Sequence, residues 1–137
     1  MKHFTMAELT RSATARAKGL DNTPTAEHRS NIEMSVAQLL DPLREAWAVK
    51  CANEQWSTPA IRVSSGYRGF ALNKAVGGSV TSAHCVGFAF DLVPCNGRMA
   101  DFKRFCRTWL RGRAFDQMIS ELSLIHISEP TRRSYIS

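Results

Sequence analysis

The sequence predicts an α+β fold, from three observations. Two helical patterns come first, short β-patterned runs alternate with one amphipathic helix after residue 57, and 137 residues leave room for one hydrophobic core. N-terminal helices packed on a small antiparallel sheet are the expected architecture. At 44% apolar and 22% charged, the composition is that of a globular chain rather than a disordered one.

The elements follow in order. Thr5-Met6-Ala7-Glu8 is a capping box, so a helix is predicted from Met6 to Lys18, stopping at Gly19. A turn-rich stretch, Asp21-Asn22-Thr23-Pro24, leads to Thr25 as the cap of a second helix. Its stripe is Ile32, Val36, Leu39, Leu40, Leu43 and Trp47. Pro42 falls inside that stripe and is expected to kink the helix or start a new turn. Ala60 to Ser64 alternates and reads as a strand, residues 69–76 as a short helix, and Gly77-Gly78-Ser79 as a loop. Val86 to Val93 is apolar and β-rich apart from Asp91. Asp101 to Leu110 is an amphipathic helix with Phe102, Phe105, Cys106 and Trp109 inward, and Phe115 to Ser120 is another strand. Trp47, Trp56 and Trp109 read as core, and His3 and His28 as surface.

Charge and apolar patterning narrow the function classes. No apolar run approaches the ~18–20 residues that cross a bilayer, and no apolar secretory leader is visible at the start of the chain. Eighteen basic against 12 acidic residues favour an anionic partner. Nucleic acid is disfavoured as that partner: the densest basic group, Lys103, Arg104, Arg107, Arg111 and Arg113, has the spacing of a solvated helix face, and no recognition motif accompanies it. Cys51, Cys85, Cys95 and Cys106 form no Cys-x-x-Cys pair, so reduced thiols are expected, with Cys85 a packed thiol rather than a ligand.

Chemistry concentrates in Ser82-Ala83-His84-Cys85-Val86-Gly87-Phe88-Ala89-Phe90-Asp91. A carboxylate inside an apolar strand is costly to bury unless it is paired or bound to a metal. On one continuous strand Gly87, Ala89 and Asp91 share a face, so two small residues would clear space beside the carboxylate. His84, just before the strand, can fold back towards Asp91. An imidazole and a carboxylate beside an open space are two-thirds of a catalytic zinc site, although a surface His and an ion-paired Asp would share this spacing.

The wider pattern is Ser82-x-His84-x-x-Gly87-x-Ala89-x-Asp91, preceded by Ser65-Gly66-Tyr67-Arg68 and Asn73-x-x-Val76-Gly77-Gly78-Ser79. It resembles the D-alanyl-D-alanine carboxypeptidase-type zinc peptidases, in their small bacterial and phage branch that includes cell-wall endolysins. Phe4-Thr5-x-x-Glu8-Leu9, Asn22-x-Pro24, Leu40-Asp41-Pro42-Leu43-Arg44 and Phe115-Asp116-Gln117-Met118-Ile119 extend the resemblance over residues 4–121. It implies a single α+β domain of the hedgehog and D,D-peptidase kind, acting as a monomer. It also implies Zn2+ held by His84, Asp91 and a second His on a late strand, and a substrate drawn from peptidoglycan stem peptides. Two imidazoles and one carboxylate leave zinc a fourth position for water, whose pKa then falls to roughly 7. By the same resemblance Arg68 grips a carboxylate or polarised carbonyl; Glu121, just past the Phe115–Ser120 strand, is the candidate general base or else a solvated Glu at the strand end. Ser82 hydrogen-bonds in the site, to substrate or within its loop, and Tyr67 lines the cleft or packs in the core. A phage lytic enzyme and a bacterial envelope enzyme both fit. The alternative is a degenerate wall-binding or phage structural module.

The C-terminal end departs from this pattern. Leu124-Ile125-His126-Ile127-Ser128 supplies a late His, so His126 is the third candidate metal ligand. It stands one residue closer to Glu121 than the family spacing implies, and a one-residue slip turns a strand side chain to the opposite face. Leu122 to Arg132 also matches the translation of a common transposase-based sequencing adapter. The domain is therefore read as residues 1–121, truncated at its C-terminus, with 122–137 a non-native tail. Resequencing the source locus tests this: genomic codons for Leu122–Ser137 would sink it.

Overall fold

The computed structural model describes residues 1–79, 81–111, 113, 117–120 and 125–128. Helix α1 (Met6–Thr10) opens on the capping box: Thr5 Oγ1 accepts from the Glu8 N–H at 3.2 Å and Glu8 Oε2 from the Thr5 N–H at 2.8 Å. The single helix expected to Lys18 is two helices. Arg11 is extended, Ser12 caps α2 (Ala13–Lys18) by accepting from the Ala15 N–H, and Gly19 ends it at φ 66°. The break has a tertiary cause. Leu9 turns its carbonyl to the Tyr67 N–H at 2.8 Å instead of continuing the helical ladder.

Thr25 caps α3 (Ala26–Ser35), which runs through a π turn (Val36–Leu40) into α4 (Asp41–Glu54). Pro42 has no N–H to give residue 38, and the Asp41 N–H bonds back to the Val36 carbonyl. The helical stripe survives this adjustment: Ile32, Val36, Leu39, Leu40, Leu43 and Trp47 are all buried. Next come β1 (Ile61–Ser65), α5 (Phe70–Ala75), a 3-10 turn (Ala83–Cys85), β2 (Ala89–Pro94), α6 (Met99–Trp109), β3 (Gln117–Ser120) and β4 (Ile125–Ser128). No described helix is long and apolar enough to cross a membrane.

The strands form one antiparallel sheet in the order β1-β2-β4-β3. β4, which falls in the segment read as a tail, lies between β2 and β3. Phe90 pairs with Ile127 and Leu92 with Ile125 across β2 and β4, and these four side chains are fully buried. They meet the α3–α4 stripe and α6, whose Phe102 ring stands edge-on to Trp47 at 5.0 Å between centroids. Trp56, Phe105 and Trp109 pack against this core while partly exposed. The alternate side chains of β2 and β4, Asp91 and His126, take the other face.

Gly87 does not have the expected role. It precedes β2, at φ 90°, and a Cβ there would stand 2.8 Å from Ile32 Cγ1 and 2.9 Å from the His28 carbonyl oxygen. Its small size serves the approach of α3, and the Ser35 hydroxyl reaches the Gly87 carbonyl at 3.2 Å.

Candidate metal centre

Three side chains from three segments converge on the open face of the sheet. The β2–β4 register sets Asp91 directly opposite His126, so both point the same way, and His126 Nδ1 lies 2.8 Å from Asp91 Oδ1. The turn to the opposite face expected for His126 does not occur in this register. His84 comes from the 3-10 turn. Its Nε2 is 3.2 Å from His126 Nδ1 and 3.4 Å from Asp91 Oδ1. Four hydrogen bonds position that turn. The Ser82 hydroxyl accepts the His84 N–H, the His84 carbonyl accepts the Arg68 N–H at 3.0 Å, the Phe88 N–H donates to Ala83, and Asn31 Nδ2 donates to the Val86 carbonyl.

The His84 ring is buried and its Nδ1 sits 2.7 Å from the Gly66 carbonyl oxygen. A carbonyl only accepts, so Nδ1 carries a proton; Nε2 then faces the cluster, as a lone pair in the neutral ring a metal needs and as a donor to Asp91 in the protonated ring of the metal-free protein. This is the orientation by which a backbone carbonyl fixes a metal-binding imidazole. One donor atom from each of His84, Asp91 and His126 falls within 4.8 Å of the others. Donors around one tetrahedral zinc stand about 3.4 Å apart, so the set fits such an ion without rearranging the backbone. Burial pushes the Asp91 carboxyl up, but hydrogen bonds from His126 and His84 and the charge of the two imidazoles outweigh it. The net effect holds the carboxyl well below the usual carboxylate range. Asp91 is therefore a carboxylate over the physiological range, the form a metal needs.

Arg68 stands beside this cluster. Its Nη2 donates to the Ser82 hydroxyl at 3.3 Å, and its Nε is buried without a hydrogen-bond partner among the described residues. Ser82 thus serves both the loop, through the His84 N–H, and the guanidinium. The Tyr67 ring is buried in the core, with its hydroxyl 2.9 Å from His28 Nδ1. That bond makes His28 half-buried rather than a plain surface residue. All four cysteines are free, and the Cys85 thiol is pushed up by burial. Glu121, the candidate base, lies outside the described residues.

Two contributors escaped the sequence reading. One is the Gly66 carbonyl, a backbone group with no side-chain signature. The other is Asn22, whose Nδ2 donates to the Thr10 and Tyr67 carbonyls and whose Oδ1 accepts from the Gly69 N–H at 2.7 Å. It ties the strap between α2 and α3 to the Gly66–Gly69 segment on which Arg68 rides. Both lie in motifs that carried the resemblance, Asn22-x-Pro24 and Ser65-Gly66-Tyr67-Arg68, and those motifs were the signals that could have found them.

A sequence model of the peptidase M15 family matches residues 2–128, nearly the whole chain. The chain belongs to the peptidase M15 family. The match includes all three residues of the cluster and runs through β4. No curated protein matches the chain. Family and geometry agree: this M15 peptidase has an α+β domain and a His-Asp-His set able to hold a metal ion.

Proposed function

We propose that this M15 peptidase is a zinc-dependent hydrolase of peptide bonds involving D-amino acids in peptidoglycan stem peptides. The observation that carries the reading is the convergence of His84 Nε2, Asp91 Oδ1 and His126 Nδ1, with His84 oriented by the Gly66 carbonyl. On this reading His84, Asp91 and His126 would hold Zn2+. When bound, the ion supplies Lewis acidity that polarises a carbonyl and acidifies water. Arg68 is the cation for the substrate: its guanidinium offers paired N–H donors to a carboxylate or a developing oxyanion. Ser82 keeps that guanidinium at the site's edge. Glu121 takes the proton of the attacking water and delivers it to the leaving amine nitrogen as the C–N bond breaks. The work site on this reading is the cell wall, whether the enzyme is phage-borne or bacterial.

The test is zinc content and affinity of the full chain beside His84→Ala and His126→Ala, together with D-alanine release from a synthetic stem pentapeptide. Tight zinc binding lost in both variants, with zinc-dependent release by the parent chain, is the expected result. Zinc binding indifferent to both substitutions would overturn the ligand set. Intact zinc binding without hydrolysis of any stem peptide would favour a wall-binding module.

A further inference from the structure

A cleft of about 460 Å³ opens along β1 and shares Gly66 and Arg68 with the support of the His84 turn; four arginines line it: Arg11, Arg16, Arg62 and Arg68. Among the described residues no Asp or Glu lines it. Arg11, Arg16 and Arg62 are exposed and make no ion pair among the described residues. Three exposed guanidiniums held together without a counter-charge repel one another, and an anionic ligand would relieve that repulsion.

The cleft also has a shape suited to an extended chain. β1 is the outer strand of the sheet, so its far edge has no strand partner among the described residues. Residues Arg62 to Arg68 line the cleft from β1 and the segment after it, and Arg11 to Thr14 and Arg16 line it from the broken helix start. Register ties the cleft to the chemistry. Arg62 pairs with Val93 and, after a register shift between Val63 and Ser65, Ser65 pairs with Asp91, so both stand opposite residues of the sheet face that carries Asp91 and His126. Val93 and Asp91 are two residues apart, or about 7 Å along β2.

We infer that this cleft seats the carboxylate-bearing arm of an extended acidic peptide, with Arg11, Arg16 and Arg62 as specificity-determining cations and the edge of β1 pairing with the peptide backbone. The inference rests on the peptidase reading and adds to it a preference for free carboxylates next to the scissile bond. Arginine suits this role because its planar fork meets a carboxylate through two hydrogen bonds, and an open strand edge recognises peptide backbone. An anionic polymer without a peptide backbone would use the arginines and leave the edge unused.

The experiment compares two synthetic stem peptides on the zinc-loaded chain, one with two free side-chain or α-carboxylates and one with both as carboxamides. Affinity is read by calorimetry and hydrolysis by amine release, for the parent and for Arg11→Gln, Arg16→Gln, Arg62→Gln and Arg62→Lys. Each Gln variant is expected to weaken the carboxylate peptide about 2–5-fold, to leave the carboxamide peptide unchanged, and to act on KM rather than kcat. Arg62→Lys should retain part of the preference. These side chains are exposed, so the melting temperature serves as the control for folding. Equal handling of both peptides by the parent, or Gln variants that weaken both alike, would overturn the cleft while leaving the peptidase reading standing. Carboxylate-selective binding without hydrolysis would support the cleft and count against the peptidase reading. Tighter binding of poly(glycerol phosphate) than of either peptide, lost in the same variants, would overturn the choice of partner.

Discussion

Replacing Gly66 by alanine probes the support of the metal centre without touching a ligand. A Cβ at this position would stand 2.3 Å from the Leu9 carbonyl oxygen, 3.1 Å from its carbon and 3.4 Å from its Cα. These are backbone atoms and cannot swing aside. Relieving the first contact even to 3.0 Å takes a movement of about 0.7 Å, an overpacking strain of typically 1–3 kcal/mol. The same residue's carbonyl meets His84 Nδ1 at 2.7 Å, and the Tyr67 N–H beside it meets Leu9 at 2.8 Å. A shift of that size stretches the first bond beyond a useful length, freeing the imidazole to rotate, and loss of such a support typically costs 10–100-fold in metal affinity. Urea unfolding and a zinc competition titration should therefore both move. Gly69→Ala is the comparison: its nearest new contacts are the Asn22 Oδ1 at 3.3 Å and the Tyr67 ring at 3.7 Å, side-chain atoms rather than backbone, so it should cost less stability and leave the Gly66 carbonyl on His84. If Gly66→Ala binds zinc within twofold of the parent, the carbonyl does not hold His84 as argued.

Other outcomes follow from the same contacts. Zinc at 100 times its dissociation constant should stabilise the fold by about 2.7 kcal/mol, or roughly 5–11 °C in melting temperature, and a chelator should reverse the shift; an unchanged melting curve would mean that no native-state site exists. Asn22→Ala removes three hydrogen bonds that join residues 10, 67 and 69, and should lower stability by about 1–3 kcal/mol in urea unfolding. Ser82→Ala should cost about 1 kcal/mol and weaken zinc binding, because one hydroxyl serves both the His84 N–H and Arg68 Nη2. In the metal-free protein the folded Asp91 carboxyl titrates below its unfolded value of about 3.9. Its stabilising effect is full above that pH and is lost as pH falls towards the folded value, so Asp91→Asn should flatten acid unfolding below about pH 4.

What the sequence disclosed was largely what is local. The Thr5–Glu8 capping box, the Gly19 stop and the stripe from Ile32 to Trp47 depend on neighbours within one or two turns, and each appears where the pattern placed it. His84 and Asp91 stood out because they are seven residues apart on either side of a strand start. Long-range pairing was not legible. The break at Arg11 follows from a hydrogen bond between Leu9 and Tyr67, 58 residues apart in the chain, and helical propensity carries no trace of it. Gly87 looked like space for a cleft because the strand was read from Val86. It is a turn residue at positive φ pressed against α3, and only the packing of that helix reveals this. The position of β4 between β2 and β3 likewise depends on which strand edges meet, and that register decides which way His126 points.

The two faces of β2 explain how so small a domain combines a dry core with a polar centre. Period-two alternation sends Phe90 and Leu92 to the helices and Asp91 to the opposite face, and β4 repeats the division with Ile125 and Ile127 against His126. Two of the three donors are thus fixed by the ladder that anchors the core, and they move only if the sheet does. His84 is the exception. It rides on a short turn held by the Gly66 carbonyl, the Ser82 hydroxyl and the Arg68 N–H, all outside β2 and β4. Preorganisation of the centre therefore rests on the segment from Ser65 to Arg68, which also carries the guanidinium and one wall of the arginine cleft. Perturbing that segment should alter metal affinity and substrate grip together while the core stays intact. Perturbing Phe90 or Leu92 should cost the fold first.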